Sequence, residues 1–449
     1  MALRFDRGTV VLDDPAASNV QRPASGLSWD RRVRRWRGSA HTAAGVLREL
    51  GGPVQCRAEL SELIRDPAPL GRWDEIPLRW YQQAALGAWR KAGNRGVVVL
   101  PTGSGKTRLA LAAMRLCDSP VLVVAPTRTL MQQWATEIAK FYRGRVGRFG
   151  DGERSLHAVT VATYASAWRH MTRLGGLFPL VVVDEAHHVG DGQLAEALEM
   201  ALASDRLGLT ATPNEGEIAE RGRRLLGDVV FELQVRDLVG EALAHYDLVR
   251  VRVALDPQER LQYDAEVALF EPVYHRWRQG RRHARWRDFV MAAQRDPDSR
   301  AALAAWRRAQ RLAAYPQAKA QAVGRLLERH AWDRCLVFTP DNAVTYAISR
   351  DHLVAPVTCD TSRRERKAVL EDFSAHRIAS LVSARVLNEG LDLPDANVGV
   401  MVGGRGGKRE FIQRLGRVLR PAPGKRARIY ELLTAGSVDS WRKSRRGSP

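Results

Sequence analysis

Three short stretches bring together residue types able to handle a polyphosphate. Between Leu100 and Thr107 the chain reads LPTGSGKT. Gly103, Ser104 and Gly105 can turn backbone N–H groups onto phosphate oxygens, Lys106 can reach the terminal phosphates, and Thr107 can offer its hydroxyl to Mg²⁺. The full GxxxxGK[ST] pattern lacks its first glycine, because position 100 is leucine, but the TGSGKT core from Thr102 keeps glycines where close backbone approach needs them. Further on, VVVDEAHHVG ends a run of valines on Asp184 and Glu185. Any strand leaving a core must end on something polar, so two acids alone decide little. With Lys106 and Thr107 nearby they divide the work of phosphoryl transfer: Asp184 holds Mg²⁺, and Glu185 orients and deprotonates the attacking water. His187 and His188 read as polar linkers and are given no metal.

These residues need elements to place them. The segment from Gly96, GVVVLPTGSGKTRLALAAMRL, reads as a buried strand, a glycine-rich turn and a helix. In a parallel α/β sheet ligands sit beyond the carboxyl ends of strands, so a second apolar strand ending at Asp184 sets its carboxylate beside the phosphate loop. SPVLVVAPTRTLMQQW repeats the strand-to-helix pattern through Thr127 and Arg128, VTVATYASAW does so at Thr163, and LGLTATP is a further such strand. Hydroxyls and arginines along one rim suit sequence-independent contact with nucleic-acid phosphates, although threonine is also simply a good strand residue.

The whole chain supports this frame. It has 449 residues, 45% hydrophobic and 27% charged, the profile of a globular protein with several domains. Its net charge of +20 comes mostly from arginine, which favours planar contact with phosphates and a nucleic-acid partner. No apolar run reaches the roughly 18 residues a membrane span needs, and the polar N-terminus is unlike a signal peptide. Cys56, Cys117, Cys335 and Cys359 form no CxxC pair, which argues against zinc ribbons, iron–sulfur clusters and disulfide frameworks and for a reducing cytoplasm.

Taken in order, LRWYQ, LPTGSGKT, APTRTLMQQW, DEAHH, LTATP, LNEGLDLP and QRLGRVLRP resemble the motifs of superfamily 2 helicases. Within that superfamily the chain is similar to the XPB-type branch, at archaeal and bacterial length. LRFDRGTVVL and LSWDRRVRRWRGSAHTAAGVLREL are similar to the small N-terminal, damage-recognition-like domain of that branch, so the resemblance spans the chain. It implies that Arg79 and Gln82 contact the adenine, where LRWYQQAAL read alone is only the start of an amphipathic helix. It also implies that Gly390 and Asp392 lie on the nucleotide side of the second half, and that Thr210 and Thr212 couple hydrolysis to movement. FIQRLGRVLRP reads as a helix on which Gln413, Arg417 and Arg420 share a face. Across a cleft they would stabilise charge on the transferring phosphoryl; alone, they make an ordinary solvated basic face. One departure stands out: where the branch carries Arg-Glu-Asp after TATP, this chain has Glu215, Gly216 and Glu217.

Between the halves lies an arginine-dense stretch containing Trp277, Trp286 and Trp306, with a helix break expected around Pro297. In the branch this position resembles a thumb-like insertion that grips DNA. Arg281, Arg282 and Arg285 would neutralise phosphates, while the tryptophans would either stack on bases or form the core of a helical hairpin.

The expected fold is α/β: two RecA-like parallel-sheet domains, preceded by a small α+β domain and interrupted by helices. The domains are assigned as 1–70, 71–240, a helical insertion at 256–315, and a second RecA-like domain from 241–255 and 316–449. The expected activity is ATP- and Mg²⁺-dependent translocation on DNA, 3′-to-5′ with duplex opening, in repair, by a cytoplasmic monomer. DNA that is single-stranded, or duplex with an unpaired region, is the expected partner, and a nuclease partner is compatible with this although the chain shows no nuclease constellation. Translocation on duplex without strand separation, RNA unwinding, and a nucleotide-gated clamp remain as alternatives.

Overall fold

The computed structural model describes residues 2–13, 24–51, 69–190, 192–213, 216–281, 284–384, 396–403, 411, 414, 416, 418, 419 and 425–437. The chain divides into two compact units, Met1–Gln234 and Val235–Pro449.

The first unit opens with an antiparallel sheet of β1 (Ala2–Asp6), β2 (Thr9–Asp13), β3 (Ser28–Asp30) and β4 (Arg35–Ser39), ordered β1-β2-β4-β3 and followed by a helix at Ala43–Gly51. Arg7 and Gly8 join β1 to β2 with φ of 48° and 85°, the two left-handed residues that a tight hairpin requires. A side chain at Gly8 would also meet Met200 Cγ at 2.6 Å. This small domain shares its core with the larger one, since Leu202 packs among Leu3, Val10, Leu12, Leu27 and Val46. Beneath Leu202 lies Arg206, fully buried, whose guanidinium donates to the carbonyls of Ala203 (2.9 Å), Leu198 (3.1 Å), Leu225 (2.9 Å) and Ala201 (2.7 Å). A buried cation is tolerated when all three of its nitrogens donate in this way. Burial still pushes Arg206 down to about 9. On the small domain, burial and then the charge of Arg206 lower His41 to about 4.

The larger sheet of this unit contains β5 (Arg95–Val99), β6 (Val121–Ala125), β7 (Val146–Gly150), β8 (Glu153–Arg154), β9 (Val159–Thr163), β10 (Leu180–Val183), β11 (Asp205–Thr210) and β12 (Val229–Glu232). Their order is β12-β5-β11-β10-β6-β9-β7-β8, and every pairing is parallel except β7 with β8. β6 and β10 are buried along their whole length, as expected of strands covered on both faces. Because β5, β11, β10, β6 and β9 run the same way, Leu100, Thr210, Asp184, Ala125 and Thr163 all emerge on one rim.

The second unit holds β13 (His245–Val253), β14 (Cys335–Phe338), β15 (Ala355–Val357), β16 (Ser380–Ser383), β17 (Val398–Val402) and β18 (Arg426–Thr434) in the order β13-β18-β17-β14-β16-β15, with parallel pairing throughout. Between β13 and β14 come helices at Pro257–Arg278, Trp286–Arg295 and Pro297–Ala314. Each proline-led helix has its aspartate cap: Asp256 accepts from Glu259 N and Asp296 from Ser299 N, both at 2.8 Å. The break expected around Pro297 is thus Asp296, in extended conformation, the C-cap of one helix and the N-cap of the next. The tryptophans of this insertion pack with one another's neighbours as a core. Trp306 stacks on Phe270 at 4.4 Å between ring centroids, and Trp277 meets the fully buried Phe289 at 5.2 Å. Trp286 touches the same rings but remains 43% exposed. Among the described residues no helix is long and apolar enough to cross a membrane.

Candidate functional site

The phosphate loop lies between β5 and the helix Lys106–Cys117, whose first turn projects from a left-handed Gly105 (φ 81°). A side chain at Gly105 would be strained at this φ and would come within 2.6 Å of Gln82 Nε2, displacing the amide that braces the loop. The loop is braced from behind by the helix Trp80–Lys91. Tyr81 donates its hydroxyl to Ser104 O at 2.6 Å, and Gln82 Nε2 donates to Ser104 O and Gly105 O at 3.0 and 3.1 Å. Gln82 Oε1 accepts from the backbone N–H of Arg79 at 2.9 Å, fixing the start of that helix. Within the loop, Ser104 Oγ donates to Pro101 O at 2.7 Å, while Lys106 Nζ donates to Leu100 O and Pro101 O at 3.0 and 3.3 Å. Thr102 Oγ1 is buried with no hydrogen-bond partner among the described residues. A lysine held on loop carbonyls and an orphaned buried hydroxyl are groups that a phosphate could engage, so the loop fits a nucleotide chemically.

Across the rim, β11 separates β5 from β10, so Asp184 stands one strand removed from the loop rather than on its immediate neighbour. Asp184 Oδ2 accepts from Trp134 Nε1 at 2.8 Å, and its Oδ1 accepts from Glu185 N at 2.9 Å. Tyr164 donates its hydroxyl to the Asp184 carbonyl. Glu185 takes a left-handed φ of 50°, which turns the chain into a short helical turn at Ala186–His188. Its carboxylate lies 3.2 Å from His187 Nδ1, and the same nitrogen is 3.1 Å from Thr210 Oγ1 at the end of β11. Thr210 Oγ1 in turn donates to Thr212 O at 2.9 Å. Glu185, His187, Thr210 and Thr212 are therefore one connected chain of contacts.

Electrostatics separates the two acids. Burial, reinforced by the neighbouring charge of Glu185, raises Asp184 above the ordinary carboxylate range, while Trp134 and Lys106 act in the opposite direction. Burial also works to raise Glu185, but the adjacent His187 ring and the Lys106 charge outweigh it and hold the group below its usual value. One carboxylate is short of positive charge and the other is kept ionised, a division suited to cation binding and proton acceptance.

The rim threonines have local duties. Thr127 caps the helix Arg128–Ala139 by accepting from Leu130 N at 3.2 Å, and Thr163 caps Tyr164–Leu174 by accepting from Ser166 N at 3.3 Å. Arg128 is exposed and pairs with Asp151 at 2.6 Å, so a strand phosphate would have to compete for it. In the second unit Arg281 lies over the Trp277 ring, 5.0 Å from its centroid, and donates to Trp277 O at 2.6 Å, while Arg285 precedes the helix at Trp286–Arg295. Thr107 is the second residue of the phosphate-loop helix. Arg282, Gly390, Asp392, Gln413, Arg417 and Arg420 lie outside the described residues, as does Glu215. Sequence reasoning missed Tyr81, Trp134 and Tyr164; the tryptophan closing TLMQQW was the available signal, a large polar-edged ring two turns into a helix that starts at the rim.

Comparison with known proteins agrees with this geometry. Residues 75–215 match the model of the type III restriction enzyme res subunit, residues 318–422 the helicase conserved C-terminal domain, and residues 3–47 the xeroderma pigmentosum group B helicase damage recognition domain. The chain is 34% identical over 448 residues, 99% of each chain, to the DNA 3'-5' translocase XPB2 of Sulfurisphaera tokodaii. It is 28% identical to the DNA 3'-5' helicase XPB of Mycobacterium tuberculosis, over 88% of this chain and 67% of that one. In fold it is similar to the Hef helicase domain of Pyrococcus furiosus, with a TM-score of 0.53 at 21% identity, covering 84% of this chain and all of that domain. With a relative this similar along its whole length and a helicase domain model on each half, the chain belongs to the XPB branch of superfamily 2 helicases.

Proposed function

We propose that the protein is an ATP-dependent DNA translocase and helicase that moves 3′-to-5′ and opens duplex DNA during repair, working in the cytoplasm as a monomer. The observation that carries this reading is the convergence on one sheet rim of the Lys106 loop and the Asp184–Glu185 pair, joined through His187 to Thr210. The triphosphate of ATP would lie on the backbone N–H groups of Gly103, Ser104 and Gly105, with Lys106 released from the loop carbonyls to meet its terminal phosphates. Thr107 and Asp184 would hold Mg²⁺, which supplies Lewis-acid stabilisation of phosphoryl charge when bound. Glu185, kept ionised by His187 and Lys106, would take the proton of the attacking water. Gly390 and Asp392 are assigned to the nucleotide and Gln413, Arg417 and Arg420 to the developing charge, by motif position alone. Thr127, Arg128 and Thr163 on the rim, and Arg281, Arg282 and Arg285 in the insertion, are assigned to DNA phosphates.

A second reading, translocation along duplex without strand separation, is favoured by the absence of arginine after TATP, where Glu215, Gly216 and Glu217 stand. Steady-state ATP hydrolysis with single-stranded DNA, duplex DNA and RNA, run beside unwinding of duplexes tailed at either end, tests both. Stimulation by DNA with opening of 3′-tailed duplexes is the expected result. Stimulation without opening supports the second reading, and no stimulation by any DNA overturns both.

A further inference from the structure

Lys319 is a wholly buried lysine with no part in the proposed chemistry. Its Nζ donates to Ala313 O at 3.1 Å and to Ala314 O at 3.3 Å, the last two carbonyls of the helix Pro297–Ala314 that closes the insertion. Carbonyls at a helix C-terminus lack intrahelical partners and carry the negative end of the helix dipole, so a cation is favoured there. Thr434 Oγ1, at the end of β18, donates to Ala313 O at 2.7 Å. The first helix of the insertion is tied to the same place: Arg260 donates through Nη2 to Ala435 O at 2.9 Å and through Nη1 to Gly436 O at 3.0 Å. Both legs of the insertion therefore stand on the end of β18.

β17 reaches the same joint. The strand ends at Val402, and Gly403 follows with a left-handed φ of 76°, so close to the helix that a Cβ there would lie 3.3 Å from Ala314 O and 3.6 Å from Lys319 Nζ. Four residues earlier, a Cβ on Gly399 would lie 3.0 Å from Val418 Cγ2. Val418, which is buried, lies in sequence between Arg417 and Arg420, the arginines assigned to the transferring phosphoryl. One strand thus touches the arginine-bearing segment near its start and the root of the insertion at its end. β17 is buried along its whole length and paired on both sides, with β14 and β18, and close packing of this kind passes a displacement along the strand.

We infer that Lys319 is a positioning residue that couples nucleotide to DNA: it holds the last helix of the insertion against β17, so that a shift of the arginine-bearing segment reaches the insertion as a change of its angle on the second sheet. Apolar side chains of similar volume often replace buried ionic groups without loss of stability. Filling the site is therefore not what calls for a lysine; holding two carbonyls at once, and with them the direction of the helix, is. The inference rests on the reading of the insertion as a DNA contact and of Arg417 and Arg420 as nucleotide-side residues, and adds the joint between them.

The test uses the full chain carrying Lys319→Met, which keeps an unbranched stem and removes the donors. Affinity for a 3′-tailed duplex is measured with and without a non-hydrolysable ATP analogue. In the parent the analogue should change DNA affinity by a factor within the roughly 5- to 150-fold range of coupling between sites. In Lys319→Met that factor should fall to within about twofold of one, and by reciprocity the effect of DNA on analogue affinity should fall equally. DNA affinity without nucleotide, analogue affinity without DNA, and DNA-free ATP hydrolysis should all match the parent. A purely structural lysine would lower the melting temperature and leave the factor intact, which overturns the inference. Thr434→Val is nearly isosteric, removes a second donor to Ala313 O and should reduce the factor in the same direction. It decides the question if Lys319→Met does not fold, and an undiminished factor in Thr434→Val then overturns the inference. A parent whose DNA affinity ignores the analogue overturns it as well, while DNA-stimulated hydrolysis in that parent leaves the proposed function standing.

Discussion

Trp134 donates its indole N–H to Asp184 Oδ2 over 2.8 Å, so the carboxylate ending β10 is oriented by a side chain about two turns into the helix capped by Thr127. The contact is buried at both ends. It ties the rim loop at Thr127 and Arg128, by way of one rigid helix, to the acid assigned to Mg²⁺. Replacing Trp134 with Phe keeps most of the ring and removes the donor. A hydrogen bond to a charged group is worth about 1.5–3 kcal/mol, so hydrolysis at limiting Mg²⁺ should fall about ten- to a hundredfold and recover in part as Mg²⁺ is raised. Hydrolysis rates titrated with Mg²⁺ check this; an unchanged Mg²⁺ dependence would mean that the indole serves packing only.

The Asp184–Glu185 pair and Lys106 should fail in different ways. Glu185→Gln should bind ATP at parent affinity yet hydrolyse it about 10²- to 10⁴-fold more slowly, the range of a lost general base. Lys106→Ala should weaken ATP binding itself. Equilibrium binding of ATP measured beside single-turnover hydrolysis separates the two, and near-parent turnover in Glu185→Gln would remove that residue from its assigned role.

In the insertion, ring and charge should also separate. Phe289 is wholly buried among Phe270, Tyr274 and Trp277, so Phe289→Ala should cost about 3–5 kcal/mol of local stability. Replacing Arg281, Arg282 and Arg285 with Gln should leave melting near that of the parent and reduce the salt slope of DNA binding. Calorimetry and DNA titrations on the two variants make the comparison. If the triple Gln variant keeps the parent slope, this stretch does not hold phosphates.

The docked face of the small domain should be sensitive to acid. Burial and Arg206 depress His41 to about 4 in the folded state, below its ordinary value of 6.5. Between those values the unfolded chain binds the proton and the folded chain does not, so stability is full above about pH 6.5 and declines as pH falls towards 4. With allowance for the partial exposure of the ring, about 1 kcal/mol should be lost between pH 7.5 and 5. Urea unfolding at the two pH values should show the decline in the parent and less of it in His41→Gln. Equal declines would assign the acid sensitivity to other groups.

What the sequence makes legible is what lies close along the chain. LPTGSGKT follows a strand and opens a helix, and VVVDE is an apolar strand ending on acids, so the local settings of Lys106 and Asp184 can be read from a handful of letters. Strand order cannot be read that way. Nothing in LGLTATP says that its strand inserts between the loop strand and the acid strand, and so nothing says that His187 will meet Thr210. Trp134 and Asp184 are fifty positions apart, and only the β10–β6 pairing brings their elements together. Arg206 misleads in the other direction: within SDRLGLT it looks like a solvated strand entry, yet four carbonyls from three neighbouring segments enclose it. The insertion tryptophans could be read either as stacking platforms or as core, because arginine-rich amphipathic helices look alike in both cases, and only the ring contacts distinguish them.

The Leu202 contact bears on whether the first fifty residues are portable. A domain joined to its neighbour by a flexible tether can be deleted, exchanged or grafted with little harm to either part. Here Leu202 is buried by side chains from β1, β2 and the helix at Ala43–Gly51, and Gly8 leaves just enough room for Met200. A truncated chain starting beyond that helix would expose an apolar face on the ATP-handling domain and open the surroundings of Arg206 to water, inviting self-association. Swapping in the corresponding domain of a relative would succeed only if residues 198–206 travelled with it. The small domain and that stretch are thus one heritable unit, and a change on either side is open to compensation from the other.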